Sequence, residues 1–301
     1  MRLIAIVGPT AAGKSDLGVC LARALDGEIV NADAMQLYHG LDVGTAKPTQ
    51  AERAALPHHL LDVLDVREAA SVAAYQRAAR AVIESLLEAG RTPVLVGGSG
   101  LYVQAVVDEL DFPGTDPALR AELDGELAAH GARALHARLA AVDPAAAAAV
   151  LPSNGRRIVR ALEVVMLTGR PFAARLPGPV APRYDAVLLG VDRPTPELDE
   201  RVARRVARMF AAGLVAETRG LPGLREGRTA SRALGYQQVL AALAGAGDFA
   251  AAAADTVVAT WRFIRRQRSW FRRDRRIRWV DPAASDVVDR ALAVIAGRVP
   301  S

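Results

Sequence analysis

An apolar run at residues 3–7 leads directly into a glycine-containing turn, and the turn leads into a segment that favours a helix. Residues 8–15 read Gly-Pro-Thr-Ala-Ala-Gly-Lys-Ser, which fits the pattern G-x-x-x-x-G-K-[ST]. The two glycines allow the backbone to fold around an anion with its N–H groups pointing inwards. The positive end of the following helix dipole favours negative charge at the same place. The segment therefore predicts a strand, a phosphate-binding loop and a helix.

We expect the whole loop to hold a phosphorylated ligand, and three of its side chains to have separate roles. Lys14 would supply a positive charge to phosphate oxygens, and the hydroxyl of Ser15 would ligate Mg²⁺. Thr10 would either orient a leaving oxygen or bridge the turn. The backbone N–H groups of residues 10–15 would face the ligand. The expected ligand-binding residues are Gly8, Pro9, Thr10, Ala11, Ala12, Gly13, Lys14 and Ser15.

Short β-rich runs alternate with longer helical stretches in the first hundred residues, as they do in parallel α/β units. The sequence therefore predicts an α/β fold with a P-loop NTPase-like parallel sheet core. Residues 112–184 show helical stretches and almost no strand signal, which predicts a mostly helical inserted domain. We expect residues 1–111 to form the first part of the core. Residues 185–301 would complete the core and add basic C-terminal helices.

Composition places the chain among folded proteins and excludes several other classes. Its 301 residues are 51% hydrophobic and 24% charged, which is too little charge bias for a disordered chain. A single cysteine, Cys20, excludes a disulfide framework and a cysteine-rich zinc site. We expect no signal peptide, no membrane-spanning helix and a cytoplasmic location. Cys20, at helical spacing within an apolar face, and Trp279 are expected to be core residues.

Positive charge is concentrated near the C-terminus. Residues 257–279 contain nine arginines against one acid, Asp274, whereas the whole chain carries a formal charge of +5. A run of charges is usually a solvated helix face, but this run is too unbalanced to be neutralised by salt bridges along the helix. The imbalance indicates a polyanionic partner, and nucleic acid in particular.

Seven further motifs follow the phosphate loop. They are residues 33–38 (Asp-Ala-Met-Gln-Leu-Tyr), 44–48 (Gly-Thr-Ala-Lys-Pro), 57–59 (Pro-His-His), 97–102 (Gly-Gly-Ser-Gly-Leu-Tyr), 156–163 (Arg-Arg-Ile-Val-Arg-Ala-Leu-Glu), 235–237 (Gly-Tyr-Gln) and a run over 260–270. In this order they resemble the signatures of the tRNA dimethylallyltransferase family, also called tRNA isopentenyltransferases or IPP transferases. The resemblance covers nearly the whole chain. Ser99 stands where the family usually has threonine, and Ala34 stands where serine is common.

The resemblance implies transfer of a dimethylallyl group from dimethylallyl diphosphate to N6 of adenosine 37, beside the tRNA anticodon, giving N6-isopentenyladenosine and diphosphate. Asp33 would be the general base for the amine. From its position alone, Asp33 could also be a Mg²⁺ ligand or a helix N-cap. Arg205 shares a helical face with Arg201 and Arg208 and would reach the leaving group, although solvated charges are the usual reason for such a face. The candidate catalytic residues are Asp33, Thr10, Lys14 and Arg205.

The expected partners are the anticodon stem-loop of tRNA, dimethylallyl diphosphate and Mg²⁺, and we expect a monomer. The target adenine would have to leave its stack, and the Gln36 amide would read its purine edge; otherwise Gln36 is a surface amide. The insertion would contact tRNA together with the core. The expected tRNA-binding residues are Asp33, Ala34, Met35, Gln36, Ser99, Arg120, Arg156, Arg157, Ile158, Val159, Arg160, Arg232, Arg262 and Arg266.

Three other functions compete with this hypothesis. A P-loop kinase or NTPase acting on a nucleotide or RNA would use Asp192, which follows the apolar run at 187–191, as a Mg²⁺ ligand. A prenyltransferase acting on free adenine nucleotides would leave the arginine-rich segment without a large partner. A non-catalytic RNA-binding module would use the loop only as a sensor.

Overall fold

The computed structural model describes residues 2–172 and 182–298, so residues 173–181 of the expected insertion lie outside the described part. A six-stranded sheet has strand order β3-β2-β4-β1-β5-β6, with every neighbouring pair parallel. The strands are β1 (Ile4–Val7), β2 (Gly27–Asn31), β3 (His58–His59), β4 (Thr92–Gly97), β5 (Val187–Val191) and β6 (Arg278–Val280). This sheet, with the helices around it, confirms the predicted α/β class.

Helices account for most of the remaining structure. They are α1 (Lys14–Ala24), α2 (Gln50–Ala55), α3 (Val72–Glu88), α4 (Gly100–Val107), α5 (Pro117–Val142), α6 (Pro144–Ala149), α7 (Gly155–Thr168), α8 (Thr195–Ala211), α9 (Leu214–Gly220), α10 (Tyr236–Leu243), α11 (Phe249–Phe271) and α12 (Val287–Ile295). Two compact units result. The larger unit comprises Met1–Glu109 and Pro179–Ser301, and the smaller unit comprises Leu110–Gly178. The roles expected for residues 1–111, 112–184 and 185–301 stay predictions.

Strand β1 is completely buried because it has a strand on each side and helices on both faces. Ala5 and Val7 pack into a cluster with side chains of α3 and α4, whereas Ile4 and Ile6 pack with side chains of α1 and α8. The alternation follows from the two-residue period of a strand, which sends successive side chains to opposite faces. An apolar residue at every position is the pattern of a central parallel strand.

All strands run in the same direction, so their carboxyl ends lie at one edge of the sheet. Ligands of open parallel sheets bind at this edge. The phosphate loop follows β1, and Asp33 and Ser99 follow β2 and β4 there. Asp192 follows β5 at the same edge. The topology thus gathers the candidate residues of the larger unit, although they are far apart in the sequence.

The smaller unit is built from α5, α6 and α7. Its core includes Leu123, Leu135, Leu139 and Leu162, which are at most 2% exposed. Helix α5 is interrupted at Gly131, where the backbone adopts φ 76°, a conformation that favours glycine. The described part of this unit contains no strand, in agreement with the predicted helical insertion.

Two expected core residues are exposed instead. Cys20 lies on the outer side of α1, because Leu17 and Leu21 are the residues that face the sheet. Trp279 is 42% exposed because β6 is an edge strand and pairs only with β5. Both expectations were wrong. Within the described ranges, no helix combines the length and apolar character needed to span a bilayer.

Candidate functional site

The phosphate loop has the backbone that its glycines predict. Gly8 has φ 142°, and a Cβ atom there would lie 2.0 Å from the carbonyl oxygen of Val191 on β5. Gly13 has φ 108° and directly precedes helix α1. A side chain would clash at the first position and strain the backbone at both positions. The two glycines therefore let the loop turn tightly against the neighbouring strand.

Two arginines hold the carbonyl groups of this loop. Arg201 of α8 donates from Nε to the carbonyl oxygen of Ala11 at 2.7 Å. Arg193 donates from Nε to the carbonyl oxygen of Ala12 at 2.9 Å and also pairs with Glu197. The sequence placed Arg201 on a charged helical face but gave no sign that Arg193 reaches the loop. These contacts restrain the loop backbone at adjacent peptide groups.

Lys14, Asp33 and Arg205 form a charged cluster at the loop. Burial, together with the charge of Arg205, lowers the pKa of Lys14 to about 8, and the charge of Asp33 opposes this shift. Burial also lowers the pKa of Arg205, again with Asp33 opposing it. Arg205 donates to the carbonyl oxygen of Thr45 at 3.2 Å. Three candidate catalytic side chains therefore lie close enough to affect one another electrostatically.

Asp33 is held in a tight turn just past β2. Its Oδ1 accepts a hydrogen bond from the backbone N–H of Met35 at 2.9 Å, and its own backbone N–H donates to Asn31 Oδ1 at 2.8 Å. The Asn31 amide also donates to the carbonyl oxygens of Asp33 and Leu60. In the described ranges no hydrogen-bond donor reaches the second carboxylate oxygen, Oδ2. That oxygen can accept a proton without losing a structural bond.

The neighbours of Asp33 have structural contacts of their own. Ser99 Oγ accepts from the backbone N–H of Ala34 at 3.2 Å, which joins the loops after β2 and β4. Gln36 Nε2 donates to the carbonyl oxygens of Thr45 and Ala46, at 3.2 and 3.4 Å. The amide nitrogen of Gln36 is therefore engaged, and its carbonyl oxygen is the group that it can offer to a base. Met35 is partly buried beside this segment.

Thr10 departs from the expectation that every loop N–H faces the ligand. Its backbone N–H donates to Gln267 Oε1 of helix α11 at 2.9 Å. The sequence did not identify Gln267, which is 5% exposed, as part of the site. Its place in the signature run over residues 260–270 was the signal that the sequence offered. The backbone N–H of Ala12 also donates within the loop, to the carbonyl oxygen of Pro9 at 3.4 Å. The other N–H groups of the loop after Thr10 belong to Ala11, Gly13, Lys14 and Ser15.

The metal expectation rests on Ser15, which is exposed in the first turn of α1. In residues 2–172 and 182–298, no group of three or more His, Cys, Asp or Glu side chains could hold a metal. Mg²⁺ is commonly bound by one or two carboxylates together with substrate phosphates and water, and in phosphate-loop proteins the serine or threonine hydroxyl of the loop is a ligand as well. The hydroxyl of Ser15, at the start of α1, fits that last position.

The carboxylate of Asp192 is paired with two arginine side chains. Its two carboxylate oxygens accept from Arg268 Nε at 2.9 and 3.0 Å, and Arg272 also pairs with it at 3.1 Å. Its Oδ1 accepts the backbone N–H of Arg193 as well. A carboxylate so engaged is poorly placed to act as a magnesium ligand, which weighs against a kinase or NTPase.

The expected RNA contacts differ in how far they are exposed. Arg160 and Arg120 pair with Glu163, at 2.7 and 2.9 Å, and Arg160 also donates to the carbonyl oxygens of residues 113 and 114. Ile158 and Val159 are 0% exposed in the core of the smaller unit. This face of α7 packs inwards, so neither side chain is exposed, and the assignment of these two residues to the RNA contact stays a prediction. The exposed candidates are Arg156, Arg157, Arg232, Arg262 and Arg266.

A family model described as IPP transferase matches residues 36–274. The chain is 67% identical over 290 residues to a tRNA dimethylallyltransferase of Streptomyces avermitilis, which covers 96% of this chain and 93% of the relative. It is 64% identical over 295 residues to a tRNA dimethylallyltransferase of Salinispora tropica, with 97% and 92% covered.

Solved structures show the same relationship. The crystal structure of the full-length tRNA isopentenylpyrophosphate transferase from Bacillus halodurans has a TM-score of 0.72 at 38% identity, covering 99% of this chain and 96% of that one. A eukaryotic dimethylallyltransferase acting on tRNA has a TM-score of 0.80 at 22% identity, covering 99% and 81%, and this likeness shows the fold alone. The family model, the sequence identity and the fold agree, and the chain belongs to the IPP transferase family.

Proposed function

We propose that this protein transfers the dimethylallyl group of dimethylallyl diphosphate to N6 of adenosine 37 in tRNA. The products are N6-isopentenyladenosine and diphosphate. The observation that carries the proposal is the cluster of Lys14, Asp33 and Arg205 at the phosphate loop, which combines a carboxylate with two cations. The names of the curated relatives support both tRNA and the dimethylallyl group as substrates.

The reaction breaks the C–O bond between the allylic carbon and the diphosphate, and it forms a C–N bond to the adenine amine. Negative charge grows on the departing diphosphate. This charge is stabilised by Lys14, by Arg205 and by the N–H groups of the loop residues that follow Thr10. The exocyclic amine is a weak nucleophile, because its lone pair is delocalised into the ring. Asp33 Oδ2 accepts the proton that the amine loses. The Thr10 hydroxyl orients the leaving oxygen.

The loop also binds Mg²⁺ through Ser15 in this proposal. When bound, the ion neutralises charge on the diphosphate oxygens. The protein's own groups hold the diphosphate and place Asp33 for the proton transfer.

The RNA partner is the anticodon stem-loop. The exposed Arg262 and Arg266 of α11, with Arg232, bind its phosphates, and Arg156 and Arg157 do so from the smaller unit. The adenine leaves its stack to reach Asp33, and the carbonyl oxygen of Gln36 accepts from its edge. The protein acts as a monomer in the cytoplasm.

The function is tested by incubating the protein with radiolabelled dimethylallyl diphosphate, Mg²⁺ and either unmodified tRNA or AMP. We expect label in tRNA and none in AMP. Label in AMP alone would favour a prenyltransferase of free nucleotides. Turnover of ATP without label in either acceptor would favour an NTPase.

A second experiment tests the role of Asp33. We expect Asp33→Ala to lower prenyl transfer by about two to four orders of magnitude, since general-base catalysis contributes that much. The variant should still bind tRNA in a filter-binding assay. Unchanged transfer would remove Asp33 from the mechanism, and lost tRNA binding would assign it to RNA recognition instead.

A further inference from the structure

Gln267 joins two loops of the diphosphate site from the buried side of helix α11. Its Oε1 accepts the backbone N–H of Thr10 at 2.9 Å, and its Nε2 donates to the carbonyl oxygen of Gly98 at 2.9 Å. Thr10 offers only a donor at this point and Gly98 only an acceptor, so a single orientation of the amide satisfies both. The side chain thereby connects the loop after β1 to the loop after β4.

The fit around this amide is close. A Cβ atom at Gly98 would lie 2.3 Å from Gln267 Nε2, and one at Gly100 would lie 2.3 Å from Trp270 of the same helix. Glycine at both positions lets these two side chains of α11 approach the loop this closely. Since Gln267 is 5% exposed, water cannot readily replace its bonds to Thr10 and Gly98.

The next residue of α11 supports the other side of the phosphate loop. Arg268 pairs with Asp192 and donates to the carbonyl oxygen of Arg193. Arg193 in turn donates to the carbonyl oxygen of Ala12. Two consecutive side chains of one helix thus restrain the loop at Thr10 directly and at Ala12 through Arg193.

We propose that Gln267 is a positioning residue for the diphosphate loop. By holding the Thr10 N–H, it fixes the backbone that carries the Thr10 hydroxyl and sets the direction of the N–H groups that follow. A preorganised loop binds its anion without first losing conformational freedom. The proposal rests on the proposed function, because it takes the ligand of the loop to be a diphosphate.

The test measures binding of inorganic diphosphate with Mg²⁺ to the full chain by titration calorimetry, in the absence of RNA. Gln267→Met keeps the length of the side chain but leaves the Thr10 N–H and the Gly98 carbonyl unpaired. We expect its Kd to rise about tenfold. The matched control is Gln76→Met, since Gln76 is a buried glutamine of α3 that donates to the carbonyl oxygen of Ala105 at 2.8 Å. Its Kd should stay within about twofold of wild type.

Steady-state kinetics supply a readout that a general loss of stability would not give. In Gln267→Met, the KM for dimethylallyl diphosphate should rise about tenfold, while the KM for tRNA should change by less than about twofold. Equal changes in both KM values, or a Kd for diphosphate like that of the Gln76→Met control, would overturn the proposal.

Gly98→Ala tests the same contact if Gln267→Met does not fold. The added Cβ displaces the amide of Gln267, and a flexible side chain can move aside without unfolding the protein. We expect the same loss of diphosphate affinity, and no further loss when both substitutions are combined. Unchanged affinity in Gly98→Ala, or fully additive losses in the double variant, would overturn the proposal.

The outcomes separate this inference from the proposed function. Wild-type protein that binds diphosphate but labels no tRNA would contradict the proposed function and leave the role of Gln267 intact. If the wild-type protein labels tRNA, and Gln267→Met and Gly98→Ala both bind diphosphate normally, the role of Gln267 is contradicted and the proposed function is left intact. Wild-type protein that binds no diphosphate would overturn both.

Discussion

The ammonium group of Lys14 donates a hydrogen bond to the carbonyl oxygen of Pro9 at 2.8 Å. The bond keeps the cation within its own loop, where burial lowers its pKa to about 8. Lys14 therefore titrates in a range where the protein can be assayed, unlike an ordinary lysine. Below this pKa it is charged and attracts diphosphate, and above it the charge is lost.

We expect the affinity for dimethylallyl diphosphate to fall as the pH rises from about 7 to about 9.5. Binding of an anion favours the charged lysine, so complex formation near the pKa should take up protons. Calorimetry in two buffers with different ionisation enthalpies measures this uptake. Lys14→Arg is the control, because its guanidinium stays charged throughout. Affinity that does not change with pH in the wild-type protein would contradict the prediction.

Glu163→Gln should destabilise the smaller unit by about 3 kcal/mol, since removing one partner of a buried ion pair is costly. Glu163 is fully buried and pairs with Arg120 and Arg160. Denaturant unfolding, with hydrogen exchange in α7 as the local probe, measures the loss. The control is Glu126→Gln, whose partner Arg138 is more exposed and which should cost at most about 1 kcal/mol. Equal losses of stability in the two variants would show that the burial of Glu163 does not increase the contribution of its ion pairs to stability.

The wild-type protein should not hydrolyse ATP. Asp192, the acid that could otherwise hold magnesium for such a reaction, is paired with Arg268. Asp192→Asn should instead lower the free energy of unfolding by about 1 to 3 kcal/mol, as expected when hydrogen bonds between charged groups are weakened. A phosphate-release assay and a thermal melt measure the two effects. ATP hydrolysis that Asp192→Asn abolishes would support the NTPase alternative.

Neutralising exposed arginines of α11 should weaken tRNA binding through electrostatics. Arg262→Gln and Arg266→Gln should each lower the slope of log affinity against log salt by about 1. Binding measured at several salt concentrations gives this slope. Arg290→Gln on α12 is the control, because Arg290 is exposed and pairs with Asp286, the N-cap residue of the same helix. An unchanged slope in both α11 variants would remove this face from the RNA contact.

The phosphate loop could be predicted from the sequence because its constraints are local. Strand, glycine turn and helix follow one another, and α1 begins at Lys14 as the pattern requires. Gln267 and Arg193 reach the same loop from distant parts of the chain. Gln267 lies within the signature run over 260–270, but neither that run nor any local periodicity shows which distant backbone group a side chain contacts. The two contacts with the loop could therefore be found only in the folded structure.

Errors of burial have a similar cause. Helical spacing indicates which residues share a face but not where that face ends, and Cys20 lies just beyond the buried side marked by Leu17 and Leu21. The burial of Trp279 depends on whether another element covers β6, which no local pattern records. Ile158 and Val159 were assigned to the RNA contact from the motif at residues 156–163, which contains core residues as well as exposed arginines.

The pairing of β1 with β5 has a consequence for biosynthesis. Ile4 is synthesised long before its partner Val187. Contacts between such distant segments slow folding, because a long loop must close before they form. The amide that steadies Thr10 arrives later still, at residue 267. A nascent chain interrupted before that point would contain the complete glycine motif and still lack the contacts that hold it in shape.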